Sequence, residues 1–308
     1  MGVLLTVLGK KLAEQWLTLL ALPGALYVAA VVGARTLGRD HTWDLDHLLD
    51  QITVWAEDPR IDTVAGQVVV FVAVVAASAL VGLAAQGVSV ALERVWFAAD
   101  WASWPRFLPR LVDPLVGWRQ QRWVRRHRAV EQARSPDHQF RSAEGHTFEV
   151  AYDRMARTGV EYPQRPTWCG DRLNALAQRL ERDHDLDVAV VWPHLWLVLP
   201  DQVRLEITEA RQGLGRATTL VAWGVLYLGL VVWWFPAVLV FAVLNVVGWW
   251  RTRAATEVYA TLVEAAVRLH VGDLAERVGV DYSGLLTKQV GQDLSNRLRA
   301  SFPSAPGL

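Results

Sequence analysis

The feature that most constrains this chain is a run of 34 residues without one charged side chain, Ala217 to Trp250. Drawn as one helix it would reach about 51 Å at about 1.5 Å per residue, far beyond the roughly 30 Å hydrocarbon core of a bilayer. Pro236, following Trp233, Trp234 and Phe235, sits near the middle of the run. There it breaks one helix or begins the next. The spacing therefore predicts a tight hairpin of two short spans. A second uncharged run, Gln15 to Ala34, has 20 residues, and a third, Val64 to Leu92, has 29. They reach about 30 Å and about 43 Å as helices, so the first fits a bilayer and the longer one must tilt or project. A hydrophobic content of 52% and a mean hydropathy of +0.18 agree with partial solvation by lipid. The expectation is an all-α integral membrane protein with four transmembrane helices arranged as two hairpins.

Basic residues supply the orientation. The stretch from Arg35 to Thr63 carries three Arg against seven acids, whereas Arg94 to Arg134 carries nine Arg against three. Lys10 and Lys11 precede the first span, Arg211 and Arg216 the third, and Arg251 and Arg253 follow the fourth. The positive-inside rule then puts both termini and the long middle region in the cytoplasm, with the acidic loop outside. The net charge of zero, from 31 basic and 31 acidic residues, is thus a sum of opposites. Tryptophan, 16 residues of the chain, gives an independent check because its amphipathic ring favours the headgroup level. Trp16, Trp96, Trp101, Trp104, Trp249 and Trp250 fall at inner boundaries, and Trp43, Trp55, Trp233 and Trp234 at outer ones. Gly2 and Thr6 fit a myristoylation pattern, but a spanning helix makes such an anchor redundant.

Five segments follow from this pattern: a first transmembrane hairpin over 1–93, a basic and aromatic juxtamembrane segment over 94–134, a cytoplasmic helical module over 135–216, the second hairpin over 217–253 and C-terminal helices over 254–308. In the outer loop Leu45, Leu48, Leu49, Ile52 and Trp55 recur at helical spacing. In the juxtamembrane segment Pro105, Pro109 and Pro114 predict a broken, surface-hugging path. There Arg106, Arg110, Arg119, Arg122, Arg125 and Arg126 are expected to contact an anionic leaflet, at roughly 1 kcal/mol each. Arg and aromatics also suit nucleic acid, but the position beside a span favours lipid, and no nucleic-acid partner is expected. Leu173, Leu176, Ala177 and Leu180 mark an amphipathic helix, and Val188 to Leu199 is too short to span and reads as a buried or interfacial element. Pro200 and Asp201 suit the start of a helix continuing into the third span, and further helices are expected around Val258 to Leu269 and Ser283 to Arg299.

The segments PTWCGD (Pro166 to Asp171), LD (Leu186, Asp187), WPHLW (Trp192 to Trp196) and LPD (Leu199 to Asp201), followed by a Trp-rich hairpin and by Tyr259, Leu269, His270, Leu274, Glu276 and Gly279, resemble a family of bacterial, largely actinobacterial, multi-pass membrane proteins. The resemblance covers roughly the C-terminal half. It departs from the family pattern at Asp171, where Asn is expected, at His184 and Asp185, where a Tyr-Gly pair is expected, and at His194, where Arg is expected. The family brings no established activity, so the resemblance implies fold and compartment rather than chemistry.

The densest polar cluster is ERDHDLD, Glu181 to Asp187. A His beside Asp is raw material for a metal site or for acid/base chemistry, but a metal would need further ligands, and His194 or His146 could only be guessed. A solvated helix end and turn is the plainer meaning. Cys169 is the sole thiol, which excludes an intrachain disulfide framework and a cysteine-cluster metal site. No phosphate-binding Gly loop, Gly-x-Ser-x-Gly elbow or zinc-protease motif occurs, and no cofactor is expected. No charged residue lies at midplane depth in a span, which counts against ion-coupled transport. Gln67, Ser78 and Ser89, spaced by 11, share a helical face beside the small residues of Ala76 to Gly87; helix packing or self-association is one meaning and a pore lining another. Trp192 and Trp196, which topology leaves unexplained, form with His194 a candidate interaction site. The expected function is that of a non-enzymatic bacterial cell-membrane protein that anchors a cytoplasmic partner or assembly at the inner leaflet, with the lipid bilayer, a cytoplasmic protein and a homo-oligomer as partners. The alternatives are an oligomeric channel and, more weakly, a membrane-bound hydrolase using His184 and Asp185.

Overall fold

Ten helices and no strand make up the described residues, 22–38, 44–56, 63–97, 107–134 and 146–299, of a computed structural model. The helices are α1 (Leu22–Leu37), α2 (Leu45–Ala56), α3 (Val64–Trp96), α4 (Phe107–Arg134), α5 (His146–Ala156), α6 (Trp168–His184), α7 (Val188–Val198), α8 (Asp201–Leu230), α9 (Ala237–Val278) and α10 (Lys288–Leu298). They fall into two units, Met1–Leu92 with Gly215–Trp250, and Glu93–Leu214 with Arg251–Leu308. The long helices α3, α8 and α9 each supply residues to both.

In the first unit the apolar helices meet through small residues. The N-terminus of α3 is set by Thr63, whose hydroxyl accepts the Gly66 N–H at 3.0 Å. Gly24 on α1 lies directly against the backbone carbonyl of Ser78, where a methyl group would have no room. The Ser78 hydroxyl donates to the Val74 carbonyl at 2.7 Å, and Ser89 bonds Thr218 at 3.1 Å and Thr219 at 3.2 Å on α8. Ser78 and Ser89 are therefore buried in helix packing, while Gln67 is exposed and takes no part in it. The expected break in the longest uncharged run is present: α8 ends at Leu230, whose carbonyl accepts from the Trp233 and Trp234 N–H groups, and α9 begins after Pro236. Gly224 faces Asn245, and Gly248 faces Val221, so the two arms approach closely.

Among the described residues one helix, α3, is long and apolar enough to cross a membrane. Only 17% of its apolar stretch is buried within the molecule, and Phe71 is 69% exposed. The described part of the first predicted span is the 16-residue α1, and the stretch Gln15 to Ala21 lies outside the described residues.

In the second unit α6, α7, α8, α9 and α10 share one core. Leu180, Leu186, Leu195, Val271 and Leu294 are wholly buried there, with Val191 and Val267 nearly so. The stretches 176–207 and 259–298, separated in the sequence by the second hairpin, thus pack as one body. Thr167 caps α6 by accepting the Gly170 N–H at 3.0 Å, and its own hydroxyl donates to the Trp96 carbonyl. Asp187 caps α7, accepting from Ala189 and Val190.

Two expectations for the basic segment are corrected. Among the described residues Phe107 to Arg134 is one helix, not a broken path. Pro109 falls in its first turn, where no N–H donor is needed, and Pro114 lies in an exposed stretch of the helix. Second, the Arg119 guanidinium is 11% exposed, pairs with Asp171 at 2.6 Å and donates to the Arg165 and Thr158 carbonyls. It holds the fold rather than a leaflet. Arg126 likewise donates to the Arg154 carbonyl and to the Thr158 hydroxyl. Arg122, over the Trp118 ring at 5.1 Å, and Arg125 are exposed. Arg106 and the Arg110 side chain lie outside the described residues.

Asp171 also accepts the Gln164 and Arg165 N–H groups at 2.9 and 2.7 Å. Burial pushes its carboxyl up, and Arg119 and those two N–H groups pull it back. Replacing it by Asn leaves Arg119 buried and uncompensated. We expect Asp171→Asn to cost about 3–5 kcal/mol, read by denaturant unfolding, and Arg119→Met with Asp171→Leu together to recover most of that loss.

Candidate functional site

An apolar helix with a wholly buried seam presents its other faces at fixed positions, and α7 does this. Val191 and Leu195 enter the core, while Trp192 and Trp196, one turn apart, project together with ring centroids 5.8 Å apart and planes at 49°. They form one wall of a cavity of about 550 Å³. Ile207, Thr208, Arg211 and Gln212, one face of α8, form a second wall, and Tyr259 of α9 a third. Arg211 pairs with Glu93 at 2.5 Å, which fixes the polar rim. Burial raises the Tyr259 phenol above its ordinary range, opposed by Arg211. The cavity is an aromatic slot with one anchored cation at its edge.

Of the three residues expected to act together, the structure joins Trp192 and Trp196 but not His194. Two positions from each Trp, His194 points to another face of the helix, is exposed and has Nδ1 3.1 Å from the Val190 carbonyl of its own turn. The contributions of α8 and Tyr259 were not legible as a site. The one available signal was the i, i+1, i+4, i+5 spacing of Ile207, Thr208, Arg211 and Gln212, which in a helix marks any face.

The expected interfacial tryptophans are placed as follows. Trp233 lies beneath the Arg35 guanidinium at 5.5 Å, and Trp234 packs with Ala34, Leu230 and Ala237. Trp249 and Trp250 are exposed, edge to face at 5.9 Å, and Trp96 is half-buried. Trp16, Trp101 and Trp104 lie outside the described residues.

The ERDHDLD cluster is a joint between helices. Asp185 takes the left-handed conformation, φ 50°, that closes α6, with its N–H on the Glu181 carbonyl at 2.7 Å and the Leu186 N–H on the Leu180 carbonyl at 3.4 Å. Gly291 of α10 lies against the His184 carbonyl so closely that a methyl group would collide with it. The Asp187 N–H donates to Ser295 at 2.9 Å and its carboxylate pairs with Arg299 at 3.0 Å. No group of three or more metal-ligating side chains occurs among the described residues. Cys169 is buried, which pushes its thiol up and keeps it protonated near neutral pH.

No protein-family model, curated protein or solved structure matches the chain, so the chemistry of the site is read from its geometry. One departure from the resembled pattern acquires a reason here: the position where Gly is expected is the left-handed one that Asp185 occupies. We expect Asp185→Gly to stabilise the protein by about 1 kcal/mol, seen as a higher denaturation midpoint with an unchanged slope.

Proposed function

We propose that this chain is a non-enzymatic bacterial cell-membrane protein whose apolar helices anchor the second unit at the inner leaflet, where its aromatic cavity receives an apolar side chain of a cytoplasmic partner protein. The supporting observation is the cavity itself. Trp192, Trp196 and Tyr259 line space on a frame whose supports, Val191 and Leu195, are buried, the arrangement in which an aromatic pocket takes an anchor residue. Anchoring is supported by the exposure of α3, since a helix of that length and apolarity with so little of it covered needs lipid around it.

The reading includes four spans. α1 with the residues before it, α3, and the uncharged arms of α8 and α9 would cross, and the basic excess after α3 against the acidic loop before it puts both termini inside. Leu49 on α2 and Leu269 on α9 are both exposed, and on this reading they would report opposite sides. With Cys169→Ser as background, an impermeant thiol reagent should label Leu49→Cys in intact cells and Leu269→Cys only after lysis. Labelling of both in intact cells would remove the topology.

Ser78 and Ser89, two of the three residues considered for a pore, find their hydroxyl partners within one chain, which supports packing as their role. Cutting the chain after Thr252 would take Val263 to Ala275 out of the core, so docking is tested by filling the cavity instead. In-cell photocrosslinking from position 208 should capture a protein. Trp196→Ala should weaken that interaction by about 2 kcal/mol, roughly thirtyfold, and Ile207→Trp should abolish it. Capture of a second copy of this chain would make the partner the chain itself. Undiminished capture by both variants sinks the cavity as the docking site.

A further inference from the structure

Arginine is costly to bury, and where several line one cavity their counter-charges have to be found. A cavity of about 400 Å³ in the second unit is lined by Arg157, Arg172, Arg179 and Arg253, against Asp153 and Glu257 alone among acids. Three of the four arginines are held in place by their neighbours. Arg172 is 5% exposed and spends Nε and Nη2 on Glu257, both at 2.8 Å. Arg179 pairs through Nη2 with Glu264 at 3.4 Å, an acid that also pairs with Arg268. Arg253 lies over the Trp168 ring at 4.2 Å and donates to the Arg157 carbonyl at 3.3 Å. Arg157 is exposed and makes no ion pair among the described residues.

The counting leaves positive charge over. Four guanidinium groups face two carboxylates in the lining, and Glu264, behind Arg179, is shared. The hydrogen-bond count agrees: the Arg172 Nη1 and Arg179 Nε atoms are buried and have no acceptor. A buried charged N–H without an acceptor is uncommon in a folded protein and marks a place where a further group belongs. The acceptor that suits several guanidinium groups at once is a tetrahedral oxyanion, which takes bidentate donation and carries the missing charge.

We propose that this arginine-lined cavity binds a phosphate group, carried either on a lipid headgroup or on a soluble phosphate ester. The site stands on its own residues and holds whether or not the aromatic cavity docks a protein. Arg172, 5% exposed, and Arg179, 24% exposed, form its floor, Trp168 keeps Arg253 extended across it, and Arg157 closes on the bound anion.

The test uses the full-length protein in nonionic detergent near neutral pH. Inorganic phosphate is titrated by calorimetry at an ionic strength held constant with sodium chloride. In a second arm the protein is reconstituted in phosphatidylglycerol vesicles, with or without phosphatidic acid, whose phosphate is a monoester, and thermal unfolding is followed. Arg157→Ala is the diagnostic variant because no partner among the described residues depends on that guanidinium; Arg277→Ala, exposed on α9, controls for general charge. Saturable phosphate binding that falls about tenfold in Arg157→Ala and holds in Arg277→Ala supports the site with a soluble ester as source. No response to inorganic phosphate, with stabilisation by phosphatidic acid that Arg157→Ala abolishes, supports it with the headgroup as source. No response in either arm, or an equal response from Arg157→Ala, overturns the proposal.

Discussion

Much of the second unit is organised by one buried carboxylate. Asp171, near the start of α6, collects the N–H groups of Gln164 and Arg165 and the guanidinium of Arg119, and Arg119 reaches on to the carbonyls of Thr158 and Arg165. Those contacts pin the connection between α5 and α6 onto α4. A buried pair of this kind adds little net stability over an apolar replacement, yet it fixes which side chain meets which, because either partner alone is costly. Asn could accept from the backbone but could not neutralise Arg119, so Asp and Arg119 belong together in this chain.

The same economy governs the arginines. Basic residues beside an apolar helix suggest contact with anionic lipid, and Arg122 and Arg125 remain exposed for it. Others are drawn inward: Arg119 to Asp171, Arg126 to Thr158 and Arg172 to Glu257. One cavity gathers Arg157, Arg172, Arg179 and Arg253 beside two carboxylates, and on the proposal made above an oxyanion completes it. The aromatic cavity is the apolar counterpart, built where α7, α8 and α9 leave space that their core residues do not fill. One cavity is walled by aromatic rings with a single ion-paired cation at its edge, and the other holds more guanidinium groups than carboxylates, so they call for different ligands.

How much of this was legible depends on the range of the interactions. Helix positions follow from local rules: apolar periodicity gave α6, a proline gave the break between α8 and α9, and Asp187 ahead of an apolar run is an ordinary helix cap. The prolines of α4 misled because Pro is harmless in a first turn, Pro114 is accommodated in an exposed stretch of the helix, and the sequence does not say where a helix begins. In the candidate site, Trp192 and Trp196 stood out because no topology needed them, and His194 was grouped with them by nearness in sequence although a helix turns it away.

The sequence by itself determined where the chain is apolar, where its charge changes sign and where helices must stop. Those are properties of neighbouring residues, and solvent preference and backbone geometry act on neighbours directly. The tertiary structure decided which arginines are spent and which remain, that Ser78 and Ser89 pack while Gln67 does not, and that Tyr259 and Arg211 complete a cavity begun by two tryptophans. A pairing between residues far apart in the chain has no local energetic signature. It exists only once burial removes water as the competing partner, and burial is what the fold creates.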